Sequence, residues 1–281
     1  MTGTDKPHGT LLGEPTEYRS EYDATLLQPI PRQQSRATLG IETEKLPFKG
    51  VDIWTAYEVS WLDNSGKPQV AVADFEFPAN SPAIVESKSF KLYLNSFNQT
   101  RFSSVHSVVE VLEQDLSAAA GAPVMVGLHT LHSATQRGLG HFAGESIDQE
   151  AVTIDCYSPN PELLRLNKPE RFVTETLYSD LLKTNCPVTG QPDWGSVMIH
   201  YRGAEINRGS LLKYIVSFRQ HQDFHEHCVE RMFMDIRQYC QTAKLTVYAR
   251  YTRRGGLDIN PYRSDMPDDP ESVRLVRLAR Q

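Results

Sequence analysis

Cysteine is scarce in this chain: four in 281 residues, at Cys156, Cys186, Cys228 and Cys240. No two form a C-x-x-C pair, and the opening MTGTDKPHGT has no apolar core of the kind a secretory signal carries. A disulfide framework is therefore not expected, and all four read as reduced thiols in a cytoplasmic protein. No uninterrupted apolar run approaches the roughly 18 residues of a membrane span, so no membrane role is expected. Positive charge is also in short supply, with 29 Lys and Arg against 35 Asp and Glu and a net charge of -6. Neutralising a polyanion takes clustered basic residues, so direct nucleic-acid binding is disfavoured. Neither G-x-G-x-x-G nor G-x-x-x-x-G-K-[ST] occurs, which removes Rossmann and Walker-type phosphate sites. What is present, 40% apolar and 23% charged residues, describes a globular protein of one large domain or two ordinary ones.

The pattern along the chain is mixed. After a leading arm of about 20 residues, VDIWTAYEVSWL and PQVAVADFEF flank NSGK as an antiparallel hairpin. In HSVVEVLEQDL, Val105, Val108, Val109, Leu112 and Leu116 recur at helical spacing and predict one buried face. PVMVGLHTL and AVTIDCY read as strands. The proline-bearing stretch from Ser158 to Phe172 reads as a connection, dividing the chain into residues 1–157 and 158–281. Beyond it, WGSVMIHYRG alternates as a strand, SLLKYIVSF and HEHCVERMFMDIRQYC are helical, and KLTVYARYTRRGGLDINPY is a hairpin around Arg-Arg-Gly-Gly. KLYLNSFNQTRF (91–102) echoes KYIVSFRQHQDF (213–224), which points to a unit duplicated with a period near 120 residues. Two antiparallel sheets, each with helices on one face, make an α+β fold.

Four stretches could carry chemistry. Cys186 lies in TNCPVTGQPDWGS, a loop of small and polar residues; Pro187 biases it toward an extended backbone, and Asp193 could exchange protons beside it. A buried loop thiol and a turn-forming aspartate fit the same letters equally well. In FHEHCVE, His225, His227 and Cys228 are zinc-ligand types, but on a helix 225 and 228 share a face that 227 does not. Glu226 there could accept two parallel hydrogen bonds from the edge of a guanine-like ring, or be a solvated helix charge. ESKSFKLY (86–93) reads as a charged edge entering a helix, in which Glu86 could meet a polar ring edge and Lys88 and Lys91 phosphate. Arg253 and Arg254 before two glycines could bind phosphate, or merely form a hairpin tip.

Together, ESKSFKLY, LPFKGVDIWTAYEVSWL, NCPVTGQPDWGS, VSFRQHQDFHEHCVERMF and YARYTRRGGLDINP resemble the long, two-module form of the QueF family, the NADPH-dependent 7-cyano-7-deazaguanine reductases. The resemblance runs from about Tyr18 to Arg263. It implies tandem tunnelling-fold (T-fold) modules in a homodimer, and reduction of a nitrile to a primary amine with two NADPH per turnover and no metal. The product is a precursor of the queuosine base of tRNA. By position, the resemblance makes Cys186 the nucleophile forming a thioimide and Asp193 its proton donor, with a carboxyl expected to be raised by burial. It gives Val85, Glu86, Ser87, His225 and Glu226 to the deazaguanine, and Ser87, Lys88, Arg254 and Gly255 to NADPH. Two rival readings are a zinc-dependent hydrolase resembling GTP cyclohydrolase, using His225, His227 and Cys228, and a non-catalytic purine- or pterin-binding module.

Overall fold

The computed structural model describes residues 18–169, 171–267 and 277–281; most of the leading arm lies outside them. In chain order the first half holds β1 (Pro29–Pro31), α1 (Gln33–Thr38), β2 (Lys49–Leu62), β3 (Pro68–Pro78), β4 (Ala83–Val85), α2 (Ser87–Ser96), α3 (Val105–Ala120), β5 (Met125–His129), α4 (Leu131–Gln136) and β6 (Glu145–Ser146). The second holds β7 (Phe172–Ser179), β8 (Lys183–Asn185), β9 (Pro192–Ala204), α5 (Arg208–Ser217), α6 (His225–Cys240), β10 (Lys244–Tyr251) and β11 (Leu257–Ser264).

The two sheets expected from the sequence join into one. Its path is β5-β3-β2-β11-β10-β9-β7-β6, with β8 paired to β9, and every pairing is antiparallel except the short β6–β7 contact. The seam is β2 against β11, from Leu257 opposite Ala56 to Ser264 opposite Lys49. Alternation decides which face is apolar: Val197, Ile199 and Tyr201 of β9 point into a core with α5 and α6, while Met198 turns to the opposite face. A second core packs Trp54, Phe75 and Phe77 against Phe90, Tyr93 and Phe97 of α2 and Val108, Leu112 and Leu116 of α3. Ile41, Phe48 and Ala79, from the first half of the chain, belong to the core of the second half.

The duplication is visible in side-chain detail. Ser96 Oγ donates to Tyr93 O at 2.6 Å, and Tyr93 Oη to Asp115 at 2.6 Å; Ser217 Oγ donates to Tyr214 O at 2.6 Å, and Tyr214 Oη to Asp235 at 2.7 Å. Phe97 and Phe218 stand edge-on to those tyrosines at 5.1 and 5.3 Å. Offsets of 120 or 121 residues relate each pair, so α2 corresponds to α5 and α3 to α6.

Two expectations are corrected. AVTIDCY runs extended but is not a strand, because no neighbouring chain takes up its backbone hydrogen bonds in a ladder. Val105 is not on the buried face of α3; it opens the helix at 54% exposure, beyond the reach of the core.

Where the halves meet, α1, β2, α6 and β11 share a buried ionic cluster. Arg36 binds Glu230 through Nε (3.0 Å) and Nη2 (2.7 Å), and Arg263 reaches Glu230 (2.9 Å) and Asp52 (2.7 Å). Arg32 reaches Asp52 at 2.5 Å. Burial alone would raise the Glu230 carboxyl, but Arg263 and Arg36 hold it at about 2. Its folded value lies below the ordinary one, so its contribution is complete above 4.5 and is lost as pH falls toward 2. Glu230→Gln, which leaves Arg36 with no carboxylate partner and Arg263 with Asp52 alone, is expected to cost about 3–5 kcal/mol at neutral pH. Urea unfolding at pH 7 measures it, and the deficit should shrink in acid.

Candidate active site

Cys186 opens the six-residue loop of the β8–β9 hairpin. Thr184 and Asp193 sit directly opposite each other in that hairpin, so the ladder brings the cysteine and the aspartate to one end of it. The loop is closed by Cys186 N donating to Gln191 O (2.9 Å) and Gly190 N to Cys186 O (3.0 Å), with Gly190 at φ +67°. Asn185 N donates to His221 O and Asp223 N to Asn185 O, fastening the loop to the segment that leads into α6. Sequence position hides this; the strand register creates it.

The thiol is 5% exposed. Burial alone would push it up, but hydrogen bonds from the Thr189 hydroxyl and backbone N–H, from Arg254 and from the Val188 N–H outweigh that, and it sits below its ordinary value. Burial pushes the two thiols of α6 the opposite way, Cys228 well up and Cys240 to about 12. Cys186 is thus the buried cysteine whose surroundings favour thiolate. Arg254→Ala should move its alkylation profile to higher pH, read by iodoacetamide labelling and peptide mapping; an unmoved profile would remove Arg254 from the thiol's support.

Asp193, 5% exposed, lies between two nitrogen bases: His225 Nε2 is 3.4 Å from Oδ2 and Arg254 Nε 3.6 Å from Oδ1. The His225 ring stacks flat on Tyr251, centroids 3.7 Å apart and planes 2° from parallel. Next on α6, Glu226 is 2% exposed, and among the described residues no side chain donates to its carboxyl. Burial first, and then the charge of Asp52, raise that carboxyl against the pull of Arg32 and His225. A ligand edge offering two N–H donors would supply the hydrogen bonds this group lacks.

The opposite wall is the start of α2. Glu86 caps the helix, its carboxylate accepting from Lys88 N (2.9 Å) and Ser89 N (2.7 Å), so the expected edge-to-helix transition falls at Glu86 itself. Glutamate is not a favoured cap, and the duplicate helix α5 uses the ordinary one, Asn207. The same contrast separates the other pair: α3 starts with a Ser104 capping box, whereas α6 starts at Phe224 with no side-chain cap. Of the two helix starts that face the cleft, α2 carries a glutamate in place of the usual cap and α6 carries no side-chain cap at all.

The sequence-derived site residues converge. Val85, Glu86, Ser87, Cys186, Asp193, His225, Glu226 and Arg254 line an inner recess, and Glu86, Ser87, Lys88, Cys186, His225, Arg254 and Gly255 line an outer cleft of about 210 Å³ continuous with it. The recess is closed to about 20 Å³, space for about one water. Sequence reading missed Thr189, Gln191 and Thr252 of the cleft, and Tyr251 beneath His225. Thr189 and Gln191 share the cysteine's loop, which was their only signal.

The zinc triad does not assemble. His225 faces Asp193, His227 Nδ1 pairs with Asp223 at 3.1 Å, and Cys228 is sealed in the core. Among the described residues no group of three or more His, Cys, Asp or Glu converges on a metal position, and no helix is long and apolar enough to cross a membrane.

Residues 18–128 match the model for the N-terminal part of the nitrile reductase 7-cyano-7-deazaguanine reductase, and residues 192–269 match the model for QueF-like proteins. Cys186 lies between the two matches. A protein of Burkholderia multivorans named NADPH-dependent 7-cyano-7-deazaguanine reductase is 56% identical over 272 residues, 95% of this chain and 99% of that one. Proteins of the same name from Cupriavidus taiwanensis and Cupriavidus necator are 54% identical over 273 residues, with the same coverage. Among solved structures, an archaeosine synthase QueF-like protein in the apo form matches 34% of this chain and 96% of its own, at TM-score 0.30 and 15% identity.

Proposed function

Because the chain belongs to the family of NADPH-dependent 7-cyano-7-deazaguanine reductases, we propose that it reduces the nitrile of 7-cyano-7-deazaguanine to the primary amine, with Cys186 as covalent nucleophile. The observation that carries this reading is a buried thiol, held below its ordinary value, in one recess with the carboxyl groups of Asp193 and Glu226. The Cys186 sulfur bonds to the nitrile carbon, and one C–N π bond breaks. Asp193 takes up the thiol proton and delivers it to nitrogen, so the thioimide contains every atom of thiol and nitrile. Its two neighbours, His225 and Arg254, fix the carboxyl in place at 3.4 and 3.6 Å. Glu226 and Glu86 grip the N–H edge of the base from opposite walls, and His225, braced on Tyr251, limits where the ring can lie. The recess must widen for the base to enter, and Cys186, Pro187, Val188 and Phe224 form part of its lining.

The lining of the outer cleft suits the phosphate-bearing part of a dinucleotide. Lys88, Lys91 and Arg254 put positive charge along it above an apolar floor of Leu257 and Ile259. Gly255, at φ +60° with nothing within 4 Å of where a Cβ would stand, leaves the backbone open to close approach. When bound there, NADPH supplies hydride, and taking a nitrile to an amine uses two equivalents. Cys186 departs as thiol once the carbon reaches the imine level. Arg254→Ala should therefore also raise the NADPH KM, about tenfold for one charge-assisted contact; an unchanged KM takes that residue out of the cofactor site. The amine product would feed formation of the queuosine base, and the chain would work as a homodimer of two-module subunits, residues 1–157 and 158–281.

Mass spectrometry of the protein mixed with 7-cyano-7-deazaguanine in the absence of NADPH tests the reading. An adduct of the full nitrile mass on the Cys186 peptide is expected. No adduct, or one on another cysteine, sinks the assignment.

A further inference from the structure

The β10–β11 ladder ends early. It pairs Thr246–Tyr248 with Tyr262–Ser264, yet β10 runs on to Tyr251 beside β9, and β11 reaches back to Leu257 beside β2. The two strands part on the sheet beneath the cleft, and side chains fill the gap. Asn260 Oδ1 accepts from Tyr251 N at 3.3 Å, and its Nδ2 donates to Ile53 O at 3.1 Å.

Gln281 lies in the same gap, 4% exposed. Its Nε2 donates to Tyr251 O (2.9 Å) and Asn260 Oδ1 (2.7 Å), while Oε1 accepts from Arg250 Nε (2.5 Å) and Leu278 N (3.1 Å). Its main-chain oxygen accepts from Arg253 Nη2 at 3.3 Å and Arg277 Nη2 at 2.8 Å, and both guanidinium groups lie over the Tyr57 ring. One residue earlier, Arg280 Nη2 donates to Gly195 O (2.8 Å) and Asp180 O (2.7 Å). Strand alternation puts Leu257 and Ile259 on the cleft side and Asp258 and Asn260 on the other, so these contacts are made from the face opposite the site. They tie together the strand two residues past Asp193, the main chain of the tyrosine under His225, and the arginine preceding Arg254.

We propose that Arg280 and Gln281 clamp this gap and thereby position the turn of residues 253–256 for the dinucleotide, as positioning residues of the reaction. The proposal rests on the reductase reading above. That turn holds two consecutive glycines at positive φ, +60° and +79°; Arg254 N donates to Leu257 O at 2.9 Å and Leu257 N to Arg254 O at 3.2 Å, which shapes the turn, while its placement over the cleft depends on how its flanking strands are held. Anchors at Tyr251 and Arg253 on the chain entering the turn, and at Asn260 on the strand leaving it, hold it in place before the cofactor arrives, which lowers the entropy lost on binding.

Gln281→Leu keeps the volume and removes the amide, and Arg280→Ala releases the β9 side independently. Each variant of the full chain is assayed for NADPH KM, for Cys186 adduct yield without NADPH, and for Tm. The expected result is a KM raised at least about fivefold, the effect of one or two interior hydrogen bonds, with adduct yield and Tm close to wild type. Unchanged KM in both variants overturns the clamp, as does a KM rise matched by an equal loss of adduct. Wild-type protein run alongside keeps the two ideas apart. No adduct and no NADPH oxidation there defeats the reductase reading, whereas normal wild-type activity with indifferent variants defeats the clamp alone.

Discussion

Cys186→Ala is expected to leave deazaguanine binding nearly intact and to lower NADPH oxidation by at least about 10⁴-fold, the scale on which loss of a covalent nucleophile is felt. In the proposed reading the base is held by Glu86, His225 and Glu226, which the substitution does not touch. What disappears is the carbon–sulfur bond, without which the nitrile is a poor hydride acceptor. Equilibrium titration with the nitrile and a stopped-flow record at 340 nm separate the two quantities. Substantial oxidation by the variant would mean that hydride reaches the nitrile directly.

Asp193→Asn is expected to slow turnover by about 10²–10⁴-fold, the usual contribution of a positioned general acid. The amide keeps the shape and can still meet His225, but it has no acidic proton to give the nitrogen as sulfur adds. It also removes the negative partner of Arg254, 3.6 Å away. The decisive measurement is the rate of thioimide formation without NADPH, because that step precedes any involvement of the cofactor. A near-normal rate would assign the proton to another group, and His225 would be the first to examine.

Much of this was legible in the letters. Alternation gave β9 its correct inner face, Val197, Ile199 and Tyr201, because a period of two survives any context that covers one side of a sheet. The Ser-Phe echo at 96–97 and 217–218 marked a real duplication, since each serine closes its helix on a tyrosine four residues before the phenylalanine. Laying the two halves over each other at 120 residues would also have exposed the site, by showing Glu86 where the copy has Asn207 and Phe224 where it has Ser104. AVTIDCY misled because alternation shows that a segment is extended, not that a neighbour exists to bond it.

Local pattern and the family motifs thus determined the α+β class, the repeated unit and the residues brought to one cleft, since each depends on interactions a few positions apart or on unmistakable words of sequence. Only the folded chain decided that β2 and β11 join the two sheets, that Arg254 supports the Cys186 sulfur, and that Gln281 lies behind Tyr251. Those outcomes depend on contacts between residues tens to hundreds of positions apart. Such contacts form when apolar faces bury and backbone groups find partners, and no single stretch of the sequence encodes them.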